Sequence, residues 1–198
     1  NTFVLFDETK EAVIIDAGCY SLQEEEKLSS FIKENDLKPV HLLTTHCHID
    51  HILGNRFVVE NYQIQPQAHK ADELLYQNVK AYGVNFGIET GPVPKIGNYL
   101  DEGMHVKFGN STLEIAHIPG HSPGGIVFIN KTEGFAIVGD VLFQSSIGRT
   151  DLPGGDFNQL TSGIKNKLFT LDDKGIVYPG HGPSTTIGEE KRTNPFFN

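Results

Sequence analysis

Cysteine is scarce in this chain, with only Cys19 and Cys47 present, so there is no disulfide framework and nothing that points to secretion. Basic residues are in deficit as well: 16 Lys and Arg stand against 25 Asp and Glu, a net charge of −9. A sequence-independent grip on nucleic acid needs Lys and Arg to neutralise phosphates, so no nucleic-acid partner is expected. No apolar run approaches the ~18 residues of a transmembrane helix, and no signal-peptide pattern is visible. No membrane partner is expected, and the location is expected to be cytoplasmic. Obvious linkers and internal repeats are missing, so the 198 residues predict a single domain over 1–198. The chain starts at Asn1 and enters at once into a strand-like run, which reads as a clipped N-terminus with a presequence left open.

Against this ordinary background one segment stands out. Thr45-His46-Cys47-His48-Ile49-Asp50-His51 sets three imidazoles and a carboxylate between the apolar pairs Leu42, Leu43 and Ile52, Leu53. Burying such groups without partners is costly, and neutral imidazole is the commonest protein ligand for metals. His46 and His48, spaced i, i+2 in an irregular loop, can turn toward one ion. Asp50 and His51 can then face a second. The competing reading is a chance cluster of surface histidines.

Strands and helices alternate along the chain. Residues 2–6 and 11–15 predict a hairpin. Ser21-Leu22-Gln23-Glu24 is a capping box opening a helix whose apolar stripe is Leu28, Phe31 and Ile32. Residues 40–44 predict a buried strand, 50–61 a helix, and 71–81 an amphipathic helix with Leu74, Leu75 and Val79 inward. Residues 82–103, rich in Gly and Pro, predict one long loop. Strands follow over 105–108, 112–117, 125–129 and 135–138. Asp156 then caps a long helix holding Phe157, Leu160, Ile164 and Leu168, and 175–178 is a final strand.

The remaining ligand-type residues fall at strand ends. His121 follows 112–117 in a Pro-Gly-His-Ser-Pro-Gly loop, Asp140 follows 135–138 after Gly139, and His181 follows 175–178 in Pro-Gly-His-Gly. Four strands thus deliver ligand-type residues from one end, where sites on sheet proteins gather.

These motifs resemble the metallo-β-lactamase superfamily, and their order is most similar to its glyoxalase II (hydroxyacylglutathione hydrolase) branch. Asp16 in Ile14-Ile15-Asp16-Ala17-Gly18, the stretch from Leu142 to Asp151 and the ending Thr193-Asn194-Pro195-Phe196 add to the likeness. The resemblance implies an α/β (α+β) fold, a four-layer αβ/βα sandwich. It implies two divalent metal ions, zinc foremost, with iron or manganese compatible with the same ligands. His46, His48 and His121 would hold the first ion, Asp50, His51 and His181 the second, and Asp140 would bridge them. Asp50 is also assigned to catalysis. With so few residues after His181, the helical domain that binds glutathione in full-length glyoxalase II is expected to be missing. True β-lactamases of this fold carry Cys where Asp140 stands, and flavodiiron proteins carry Glu where His48 stands.

The expected activity is hydrolysis of a small-molecule thioester or ester by a metal-bridging hydroxide. The alternative is a persulfide dioxygenase with one iron, similar in size and in the Gly148-Arg149-Thr150-Asp151 stretch. A non-catalytic metal-binding module and an RNA-processing nuclease rank lower. Apolar loop residues leave room for a homodimer.

Other candidates have plainer readings. His41 and His105 are expected to be structural or surface residues, and His69 to cap a helix. His117 is closer to the site and could support a ligand. Cys47 and Tyr178 are expected in the core, and Lys165 and Lys167 in solvent. Arg149, next to Asp151, is expected buried, either in a structural ion pair with the loop after Asp140 or orienting that loop near the metals. Tyr82, Phe86 and Tyr99 could line a cleft or simply pack over the sheet.

Overall fold

The computed structural model describes residues 1–85 and 87–198. Its first half is built on a five-stranded sheet. Strands β1 (Phe3–Phe6) and β2 (Glu11–Ile15) form the expected antiparallel hairpin, with Phe3 opposite Ile15. Three parallel strands continue the sheet: β3 (Lys38–Leu43), β4 (Pro66–His69) and β5 (Asn98–Leu100). The second half forms a six-stranded sheet from β6 (His105–Phe108), β7 (Ser111–His117), β8 (Ile126–Asn130), β9 (Phe135–Gly139), β12 (Ile176–Pro179) and β13 (Thr185–Thr186). Its spatial order is β13-β12-β9-β8-β7-β6. A two-stranded ribbon, β10 (Leu142–Phe143) with β11 (Ser146–Ile147), lies between β9 and β12 in the chain.

Side-chain alternation sorts the apolar residues into layers. Val13, Ile15 and Leu43 point from the first sheet to Leu113, Ile115, Phe128 and Ile137 of the second. Ala12, Ile14 and Leu42 point the other way, onto Leu28 and Ile32 of α1 (Leu22–Glu34) and Val58 of α3 (Asn55–Tyr62). On the far side, Val127, Ile129 and Val138 meet Leu160 of α6 (Phe157–Gly163) and Ile187 of α7 (Ile187–Thr193). The result is helix, sheet, sheet, helix, the four-layer arrangement expected.

The Ser21 capping box forms as predicted, with Glu24 reaching back to the Ser21 N–H at 2.9 Å. Asp156 likewise caps α6 through the Gln159 N–H at 2.9 Å. Several boundaries differ from expectation. The helix expected over 50–61 is two, α2 (Ile49–Ile52) and α3, because the Gly54 N–H is diverted to the Ala17 carbonyl at 2.7 Å. The helix expected over 71–81 is a 3₁₀ turn (Lys70–Asp72), α4 (Glu73–Gln77) and α5 (Val79–Asn85). Val79 and, in part, Leu75 face inward as expected, but Tyr76 takes the place expected of Leu74: Tyr76 is 4 % exposed and Leu74 70 %. The stretch expected to be a single loop over 82–103 contains the end of α5 and all of β5. The last turn of the helix begun by Asp156 widens to a π-helical turn (Ile164–Leu168), and both of its end residues are in the core.

Leu43→Ala should cost about 2–5 kcal/mol of unfolding free energy. Leu74→Ala should stay within about 0.5 kcal/mol of the parent. Urea denaturation of both variants checks this, and equal losses would contradict the assigned orientation of α4.

Candidate metal centre

All seven expected ligands meet at one edge of the two packed sheets. The loop after β3 delivers His46 and His48, and α2 delivers Asp50 and His51. The β7–β8 loop delivers His121, while Asp140 and His181 follow β9 and β12. Because β9 and β12 are parallel neighbours with Gly139 opposite Pro179, their exits lie side by side. Gly180 is needed there: a Cβ on it would come 2.2 Å from Asp140 Oδ1.

The side chains form three overlapping trios: His46, His48 and His121; His46, His51 and Asp140; Asp50, His51 and His181. Within each, the ligating atoms lie within 4.8 Å of one another. His48 Nδ1 is 2.9 Å from His121 Nε2, and His181 Nε2 is 2.9 Å from Asp50 Oδ2. Asp140 stands between the groups. Its Oδ1 is 3.5 Å from His51 Nε2, and its Oδ2 is 3.6 Å from both His121 Nε2 and His181 Nε2.

Hydrogen bonds on the far side of the rings decide which nitrogen faces the centre. His121 Nδ1–H donates to the Arg149 carbonyl at 2.9 Å, so its Nε2 carries the lone pair. His51 Nδ1–H donates to Asp16 Oδ2 at 3.0 Å and likewise presents Nε2. Asp16 is 1 % exposed and also accepts the Thr45 N–H and hydroxyl at 2.7 and 2.6 Å. One carboxylate therefore anchors both the start of the histidine loop and the His51 ring.

The electrostatics fit a cation. Burial, reinforced by His51 and the other imidazoles, holds His46 well below its ordinary value, and burial with His121 lowers His48 to about 4. Both are neutral imidazoles at pH 7, the form that can bind a metal. Burial opposes charge on His51 too, but Asp140 and Asp16 on either side carry it up to about 10, so a bound ion would take the place of a proton on its Nε2. Burial would raise Asp140, yet His51, and then His121 and His181, hold it below the usual carboxylate range. His46 Nε2 and Asp140 Oδ1 are buried without hydrogen-bond partners, which is the mark expected of atoms that bind a metal instead. The residues fit divalent ions with imidazole and carboxylate preference.

The secondary candidates sort differently. His41 bridges the Lys107 carbonyl and Gln67, at 3.0 and 2.9 Å, and is structural. His105 is exposed at the start of β6, and His69 accepts the Ala71 N–H at 3.2 Å as a cap. His117 Nε2–H donates to the Pro123 carbonyl at 2.9 Å, bracing the His121 loop from behind. Cys47 is in the core, and Tyr178 packs between Phe3 and Phe135.

Arg149 is not buried. Its side chain is 61 % exposed and pairs with Asp151 in water, and only its backbone carbonyl reaches a ligand. Lys165 is exposed, but Lys167 is partly buried and bonds Glu102 and the His117 carbonyl. Tyr82 is exposed on α5, Tyr99 lies beneath Lys70, and Phe86 is outside the described residues. The sequence reading passed over Asp72, a fully buried carboxylate beside the histidine loop.

The metallo-beta-lactamase superfamily matches residues 1–181. The chain belongs to this superfamily. It is 39 % identical to the hydroxyacylglutathione hydrolase GloC of Haemophilus influenzae, over all of this chain and 92 % of that protein. Among solved structures it is similar to BLEG-1, a B3 metallo-beta-lactamase, with a TM-score of 0.89 and 37 % identity over 100 % of this chain and 94 % of that one. It is also similar to TTHA1623 in a di-iron-bound form, with a TM-score of 0.88 and 36 % identity over 99 % and 94 %. The chain thus belongs to a superfamily of metallo-hydrolases and carries a candidate His/Asp metal site.

Asp16→Asn should weaken metal binding about 10- to 100-fold, because the amide turns a donor toward His51 or Thr45. Competition with a chromophoric chelator measures this, and an unchanged affinity would contradict the anchoring role. Arg149→Ala should leave metal content as it is, since only the carbonyl of that residue faces His121. Loss of metal from that variant would restore the side chain to the site.

Proposed function

We propose that the protein hydrolyses a small thioester, of the 2-hydroxyacyl thiol-conjugate class, at a site holding two divalent ions. The observation that carries this reading is the assembly of both outer trios around one shared carboxylate. The full-length likeness to a hydroxyacylglutathione hydrolase supports the substrate class. Bound divalent ions would supply a nucleophilic water at neutral pH and a Lewis acid for the thioester carbonyl.

The chain's own residues prepare that chemistry. His46, His48 and His121 would hold one ion, and Asp50, His51 and His181 the other, with Asp140 between them. Neutral His46 and His48 need lose no proton to bind. Asp50 is half exposed at the mouth of the site, the position from which a carboxylate can orient the attacking water and take up its proton. Asp16 keeps the His51 ring fixed while this happens. No Ser or Cys nucleophile is called for, and Cys47 is held inert, since burial raises its thiol well above the ordinary value.

A mononuclear iron oxygenase would use one trio and leave Asp50, His51 and His181 without a task, yet these three stay assembled. A second hydrolytic reading, opening of a β-lactam ring, is favoured by the likeness to BLEG-1. It needs the same attack on a carbonyl.

Metal-loaded protein should hydrolyse acyl-glutathione, acyl-cysteine-type or acyl-CoA thioesters, lose activity on chelation and regain it on metal return. Asp50→Asn should lower kcat about 10²- to 10⁴-fold. Inactivity of the loaded protein on all three thioester classes would overturn the proposal, and turnover of a β-lactam alone would replace it with the second reading.

A further inference from the structure

The geometry points to Asp72 as a positioning residue for the ion held by His46, His48 and His121, and for that ion alone. This rests on the two-ion reading above. Asp72 ends the 3₁₀ turn after β4 and is 0 % exposed. Its Oδ2 accepts the Cys47 N–H at 2.8 Å, and its Oδ1 accepts the Gly124 N–H at 2.5 Å. Cys47 lies between His46 and His48, and Gly124 lies three residues past His121. One carboxylate thus ties together two loops that leave different sheets, each loop held by its own oxygen.

The ligands on either side of those tethers all belong to a single trio. Those of the other trio are held by different means: His51 by Asp16, and His181 by the exit of β12 beside β9. The fit at Asp72 is close. A Cβ on Gly124 would lie 2.7 Å from Asp72 Cγ, so only glycine lets the His121 loop approach the carboxylate this nearly. Burial raises the pKa of Asp72, and the two N–H groups work against that rise, as expected of a carboxylate kept in the interior for what it binds.

Asparagine keeps the shape of Asp72 but points an amide donor at one of the two N–H donors, so one loop loses its acceptor whichever way the amide lies. Zinc content and chelator competition, measured on the full chain, test the inference. Wild-type protein should hold two zinc ions, and Asp72→Asn should bind one of them about 10- to 100-fold more weakly. His181→Ala should retain one ion, and Asp72→Asn combined with His181→Ala should retain none under the same chelator. A tether that served general stability alone would lower the melting temperature of the metal-free protein without separating the two ions. Retention of both ions with parental affinity in Asp72→Asn, or equal weakening of both, would overturn the inference. If Asp72→Asn does not fold, Gly124→Ala puts the same question from the other side: selective loss of one ion supports the assignment, and loss of neither overturns it. A wild-type chain that binds no zinc would instead overturn the two-ion reading, and the inference with it.

Discussion

Five imidazole rings packed against one another are unfavourable unless their lone pairs have something to bind, and the rest of the structure answers to that constraint. Neighbouring rings in the cluster lie between 4.1 and 5.2 Å apart, centre to centre. Burial, and after it the like charges that protonation would bring into contact at that spacing, keeps His46 and His48 neutral. Such a cluster persists only where the backbone carrying it is rigid. The two sheets supply the rigidity, and carboxylates behind the rings supply the orientation.

The layered architecture follows from the same requirement. Strands buried on both faces, such as β8 and β9, fix the points where the His121 and Asp140 loops leave the sheet. The Thr45 carbonyl accepts the Ile126 N–H at 2.9 Å, so the histidine loop of the first sheet is bonded directly to the second. The site thus spans the seam between the halves of the chain. Neither half contains it alone: His46 to His51 come from the first, and His121, Asp140 and His181 from the second.

Much of this could be read from the residues. Apolar runs that stop abruptly at His, Asp or Gly marked both the strands and the ligands, because a polar metal-binding side chain cannot continue a buried strand. The capping signals at Ser21 and Asp156 were equally direct. Strand β4 was hidden because Pro66-Gln67-Ala68-His69 lacks the β-branched residues of a typical strand, and its conformation comes from pairing with β3 and β5. Helix α7 was missed although Thr186 and Glu189 carry an N-terminal signature, with the Glu189 N–H donating to Thr186 Oγ1 at 3.2 Å. Asp72 carries no local motif that singles it out, and Arg149 beside Asp151 reads as a buried cation. Their true settings depend on how distant loops fold over them, which no local pattern records.

The account stands on the seven side chains forming one two-ion centre. Crystals of protein purified without added metal, studied by anomalous diffraction at the edges of zinc, iron and manganese, test that claim most directly. The account predicts two metal peaks, one at the His46, His48 and His121 side chains and one at Asp50, His51 and His181, with Asp140 between them. A single peak confined to either group, or none after metal is supplied, would contradict it.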